Sequence, residues 1–255
     1  MKFLVIKKKG IVKTLVVALL ATFLLLAVGF TGSAAVFGGK TTRKIPIYSV
    51  ETDEKVVALS FDASWGADKT LDILEVLTRY DIKANYFVVS FWAEKYPEEL
   101  KKLAESGRVE IGTHSNTHPH MSKLAKSQID LELSTSVSII EKITEKKVEL
   151  FRPPFGDYSD ALLTAAEQQG LYTIQWDVDS LDWKELSATE MAERVLKGVQ
   201  NGSIVLMHND GKNTVQALPL IIEGLKNKGY AFKTIGELIY RDNYEIDHTG
   251  RQIRR

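Results

Sequence analysis

Charge and apolarity are segregated at the start of the chain. Lys2, Lys7, Lys8, Lys9 and Lys13 precede an uncharged apolar run at 15–30, and the small residues Gly32, Ser33, Ala34 and Ala35 follow it. That order is the pattern of an export signal, with Ser33 and Ala35 as a cleavage site, or of an uncleaved membrane anchor. In both cases the positive flank stays inside and the remainder lies outside the cytoplasm. From 56 onwards, apolar runs alternate with amphipathic stretches. The run 56–61 is nearly continuous in apolar residues, as a buried parallel strand requires. Leu71, Leu74, Val76 and Leu77 then recur at helical spacing and predict a helix over 68–80. A strand at 84–89 leads to a helix at 97–106 that Gly107 ends. A third strand at 109–112 precedes a long amphipathic helix at 127–145 and a strand at 148–151. Ser159 caps a helix at 160–169, which Gly170 terminates, and a strand follows at 172–176. Ser187 and Glu190 form a capping box for 187–199. A strand at 203–207, a helix at 215–227 and a short strand near Phe232 complete the alternation.

About seven β/α units predict an α/β fold with a closed or nearly closed barrel. An open doubly wound sheet is the alternative, but no Gly-rich phosphate loop follows the first strand, which argues against a dinucleotide site. The expected organisation is a signal peptide or anchor at 1–36, a linker at 37–50, one domain at 51–240 and a polar tail at 241–255. The 33 basic residues balance the 33 acidic ones, so no footprint for nucleic acid is present. There is no cysteine, which excludes disulfides, thiolate metal sites and a thiol nucleophile.

The chemistry is concentrated at strand ends. The first strand runs into Asp62, the third into His114 and the fourth into Arg152; later strands lead to Asp177 and Asp179, and to His208. In parallel α/β barrels the C-terminal rim carries the active site. His114 and His118 stand four apart, a spacing that lets both imidazoles reach one ion. His120 is a third ligand or an exposed neighbour, and the latter is favoured.

These residues resemble, in order, the five motifs of the polysaccharide deacetylases, the NodB-homology domains of carbohydrate esterase family four. The motifs are Ser60-Phe61-Asp62, His114 to His118, Arg152 to Gly156, Asp179 to Trp183, and Leu206-Met207-His208. The form Ser-Phe-Asp-Ala-Ser-Trp-Gly of the first motif looks most like the sporulation deacetylases of the PdaB type. The resemblance implies a distorted seven-stranded (β/α) barrel that removes acetyl groups from N-acetylglucosamine or N-acetylmuramic acid units. It implies a divalent metal, most often zinc, with His114 and His118 as ligands. By the same resemblance Asp62 is the general base and Arg152 the residue that holds it. His208 is the general acid and Asp182 the carboxylate that keeps it charged. The backbone N–H of Phe155 faces the developing oxyanion, and Trp183 and Leu206 line the acetyl pocket. The implied partner is cell-wall glycan, peptidoglycan above all, with the membrane as a second partner if the N-terminal segment is uncleaved.

One position departs from the pattern. The family's first motif usually has two adjacent acids, the second a metal ligand, and here the second is Ala63. A methyl group cannot bind a cation, and three protein ligands are the usual minimum for a catalytic zinc. Three outcomes follow: a deacetylase with a looser site, a glycan-binding relative without turnover, or a wall-associated structural protein.

Overall fold

The computed structural model describes residues 43–255, and Lys44–Arg255 form one unit. The expected signal or anchor at 1–36 lies outside the described residues. Among the described residues no helix is long and apolar enough to cross a membrane.

The alternation read from the sequence is present as an α/β architecture built on a curled, half-barrel sheet. Its parallel centre runs β8 (Ser203–His208), β2 (Val56–Ala63), β3 (Ala84–Val88), β4 (Val109–Thr113), β5 (Leu150–Phe151) and β6 (Tyr172–Thr173). Every residue of β2 is buried, which explains why 56–61 reads as continuous rather than alternating. Helices Thr70–Arg79, Pro97–Glu105, Lys126–Thr144, Asp160–Gln168, Ala188–Gly198 and Thr214–Asn227 follow the strands. Ser159 accepts from the backbone of Leu162, and Ser187 and Glu190 form the reciprocal capping box.

The expected count of seven strands is corrected to eleven among the described residues. Part of the excess comes from a bend. The run 172–179 pairs with β5 at its start, and its far end, β7 (Val178–Asp179), pairs with β8. Between them Ile174 bridges to Ile47. The remaining additions come from segments read as linker and tail. β1 (Ser49–Val50) lies antiparallel to β8 and parallel to β11 (Arg251–Arg254), which forms a hairpin with β10 (Tyr244–Ile246). The boundaries 37–50 and 241–255 are therefore corrected: Ile47, Val50 and Gln252 are fully or almost fully buried in the sheet. These strands are two to four residues long and mostly polar, too short for periodicity to register. Gly202, at φ +78°, makes the junction possible. A Cβ there would stand 1.8 Å from the carbonyl oxygen of Val50.

Strand alternation divides β2 between two layers. Leu59, Phe61 and Ala63 pack in the larger core with the helices, whereas Ser60 and Asp62 face the opposite way. This division decides what the site contains.

Candidate active site

Register brings the strand-end residues together. β2 and β8 are parallel neighbours with Asp62 opposite His208, so the carboxylate and the imidazole issue from adjacent strands at the same level. Thr113 is paired with Phe151, which sets His114 and Arg152, one residue further along each chain, beside each other. A cleft of about 440 Å³ opens over them. Asp62, His114, His118, Phe155, Trp183, Leu206 and His208 line it together with Ser64, Trp65, Gly156, Trp176, Asp179 and Asp210.

Arg152 is fully buried and is held from several sides. It donates to Asp62 Oδ1 at 2.8 Å, to Ser60 Oγ at 2.9 Å and to the carbonyl of Gln175 at 3.1 Å, and its guanidinium lies 4.1 Å over the Phe87 ring. Burial would push the Asp62 carboxyl up. The Arg152 charge, with smaller help from His114 and His208, outweighs it and holds the group below the ordinary carboxylate value. Asp62 therefore stays ionised at neutral pH.

His114 Nδ1 is 2.7 Å from the carbonyl oxygen of Arg152. A carbonyl only accepts, so that nitrogen carries the proton and Nε2, 3.5 Å from Asp62 Oδ2, keeps its lone pair. Burial lowers the pKa of His114, and burial together with His114 lowers that of His118 to about 4. Both imidazoles are neutral at pH 7. Their ring centroids are 5.0 Å apart. His118 sits at φ 58°, with its N–H donating to Ser115 Oγ, so the compact loop rather than a helical turn makes the spacing work.

His208 and Asp182 form the second pair. Asp182, almost fully buried, accepts from His208 Nδ1 at 2.7 Å, from the His208 backbone N–H at 2.6 Å and from Thr214 Oγ1 at 2.9 Å. Burial alone would lower the imidazole pKa, but the hydrogen bond and charge of Asp182 win and raise it to about 9. His208 is a cation at neutral pH.

The donor set for a metal is incomplete. Among the described residues no three His, Asp or Glu side chains come together around one ion. Ala63 is wholly buried in the layer between sheet and helices and does not line the cleft, and the Asp62 oxygens face Arg152 and His114. Two imidazoles remain, and they do not fit a resident three-ligand ion. His120 is turned away from such a role: its ring stacks on Phe155 at 4.2 Å, and its Nδ1 is 3.3 Å from Asp157.

Asp177, read with Asp179 as a rim residue, does not reach the cleft. It accepts from Ser203 Oγ and the backbone of Ile204 near the start of β8. The bend in 172–179 separates the two aspartates. Conversely, Trp65 and Asp210 line the cleft without a sequence signal of their own beyond position, the first inside the leading motif and the second two residues after His208.

The sequence model of the family described as polysaccharide deacetylase matches residues 49–174. A peptidoglycan-N-acetylglucosamine deacetylase of Bacillus cereus is 31% identical over 197 residues, covering 75% of this chain and 92% of that protein. The chain belongs to the polysaccharide deacetylase family. Within the family, the uncharacterized protein YlxY of Bacillus subtilis is 34% identical over 194 residues, 76% of this chain. This deacetylase-family chain spans only 60% of YlxY's length. A solved structure of a mutant of a Bacillus anthracis protein, described as a family-four pseudoenzyme with restored enzymatic activity, is also similar. It is 36% identical with a TM-score of 0.73 and covers 76% of this chain and 70% of its own.

Proposed function

We propose that this member of the polysaccharide deacetylase family acts outside the cytoplasm on N-acetylated amino sugars of cell-wall peptidoglycan, in the setting of sporulation. The observation that carries the reading is that Asp62, backed by Arg152, and His208, backed by Asp182, issue from adjacent strands into one cleft. Amide hydrolysis needs a base for water and a proton donor for the departing nitrogen. Asp62, kept ionised and oriented by Arg152, takes the proton from an attacking water. His208, kept charged by Asp182, gives a proton to the leaving amine. The Phe155 N–H is the donor assigned to the developing oxyanion, and Trp183 and Leu206 bound the acetyl group. A mere recognition module has no use for a proton relay of this kind. The relative named as a peptidoglycan deacetylase supports the substrate class, the lysine-flanked apolar run at 15–30 supports the location, and the form of the first motif supports sporulation.

A second reading, glycan recognition with little or no turnover, is favoured by Ala63. Magnitudes bring the two readings close together. General acid–base assistance contributes about 10²- to 10⁴-fold, whereas enzymes typically reach about 10⁶-fold or more. Asp62, held below the ordinary carboxylate range, is also a weak base. The expectation is firm binding with slow hydrolysis. Acetate release from purified peptidoglycan, measured for the full chain with and without added divalent ions, tests this. Slow release that Asp62→Asn abolishes supports hydrolysis. Glycan binding without acetate under any ion supports the second reading.

A further inference from the structure

Burial and exposure around the cleft are unevenly distributed. Among the described residues the large hydrophobic side chains left exposed are Trp65, Leu131, Phe155, Trp183 and Leu220. The three aromatic ones, 60%, 59% and 57% exposed, all line the same cleft. Scattered exposed apolar residues need no explanation, but a cluster at a concave site marks a binding surface.

Two of these rings belong to a continuous wall. Phe91, Trp65, His118, Phe155 and His120 follow one another with centroid steps of 5.3, 6.1, 4.6 and 4.2 Å. Trp65 is held from beneath: the carbonyl of the next residue, Gly66, accepts from Trp92 Nε1 at 2.5 Å and from Asn209 Nδ2 at 3.0 Å. The loop is therefore fixed while the indole stays open. A rigid exposed ring loses little side-chain entropy on binding, which makes it an effective anchor.

The chemistry such a wall recognises is a pyranose face. The C–H bonds on one side of a β-linked amino sugar form a flat, weakly positive patch, complementary to the negative face of an aromatic ring. We propose that Trp65, backed by Phe91, is a stacking subsite for a neighbouring sugar, so that the cleft reads a segment of glycan strand rather than a single residue. This deepens the proposed function and rests on it. The reacting sugar sits at Asp62 and His208, and the sugar next in the strand stacks on Trp65. Phe155 and His120 continue the wall on the other side of His118. Trp65 is thus a specificity-determining residue, with chain length as its readout.

The test is calorimetric titration of the full chain with N-acetylglucosamine and its β-1,4-linked oligomers up to the pentamer. Affinity rises with length in the wild type, and Trp65→Ala lowers the ratio of tetramer to monomer affinity about tenfold. Trp65→Leu, which keeps an apolar contact for Phe91 but removes the flat ring, shows the same loss and guards against a folding defect in the alanine variant. An unchanged ratio in both variants overturns the subsite. So does a wild type that binds monomer and tetramer equally. A wild type that binds no oligomer overturns the glycan reading itself, and the subsite falls with it.

Discussion

Asp182 grips His208 twice. One carboxylate oxygen is 2.7 Å from the imidazole Nδ1, and the other accepts the backbone N–H of the same residue at 2.6 Å. The ring's charge and its position thus depend on one buried side chain. Replacing that carboxylate should affect titration more than fold.

The ordinary histidine value is 6.5, and His208 is raised to about 9. Its contribution to stability is therefore fully present below 6.5 and is lost as the pH rises through about 9. In Asp182→Asn the imidazole pKa falls by about one to three units, because burial then opposes a weakened attraction. Proton NMR titration of His208 reads this directly. A wild-type midpoint near the ordinary value removes the charged donor from the proposed mechanism.

Asp62 and Arg152 are both buried, and each leaves an uncompensated charge when the other is removed. Arg152→Ala is expected to cost about 3–5 kcal/mol in urea unfolding, and Asp62→Ala a similar amount. The double variant should cost clearly less than the two single losses combined. The Asp62 contribution is present above 3.8 and lost as the pH falls through the lower folded value, so the acid limb of the stability profile flattens in Asp62→Asn. Additive losses in the cycle would mean that the pair is not coupled.

Position 63 gives a prediction about stability as well as activity. A carboxylate placed there enters a layer occupied by Leu59, Phe61 and helix residues. Ala63→Asp should destabilise the ion-free protein by about 2 kcal/mol or more. Because that layer lies on the far side of the sheet from His114 and His118, zinc or cobalt should leave the melting temperature of the variant unmoved, as in the wild type. A melting temperature that rises with either ion in Ala63→Asp, with acetate release increasing alongside it, would show that the strand end turns the new carboxylate towards His114 and His118.

Gly202→Ala tests the junction between β1 and β8. A methyl group at that position meets the Val50 carbonyl oxygen and also faces a positive φ. A loss of about 2 kcal/mol or more is expected, with the cleft chemistry otherwise intact. Thermal unfolding near the wild-type temperature would show that the β1 edge yields easily.

Much of this was legible in the residues. The run 56–61 and the leucine spacing of 68–80 signalled a buried strand and its following helix, since burial on both faces and helical period leave different marks. Asp62, His114, Arg152 and His208 were legible as a group because each stands at or just past the end of a strand, and parallel strands end at one rim. The short helix Ser90–Lys95 carried no such mark: Trp92 and Ala93 are buried within less than two turns. Asp177 could not be separated from Asp179, because the alternation rule holds along a straight strand and the chain bends between 173 and 178. From the sequence alone, Ala63 is the missing neighbour of Asp62 at the rim. Only the pleat reveals that the two side chains belong to opposite layers.

The pairing of Ser49 with Arg251 and of Val50 with Gln252 bears on how the domain can be handled. The Gln252 amide also closes on both the N–H and the carbonyl of Tyr240. Trimming the protein soon after the strand that carries His208 would strip a row of backbone partners from β1 and leave a raw sheet edge next to that strand, β8. An excised unit must keep both extremities of Lys44–Arg255, although neither lines the cleft.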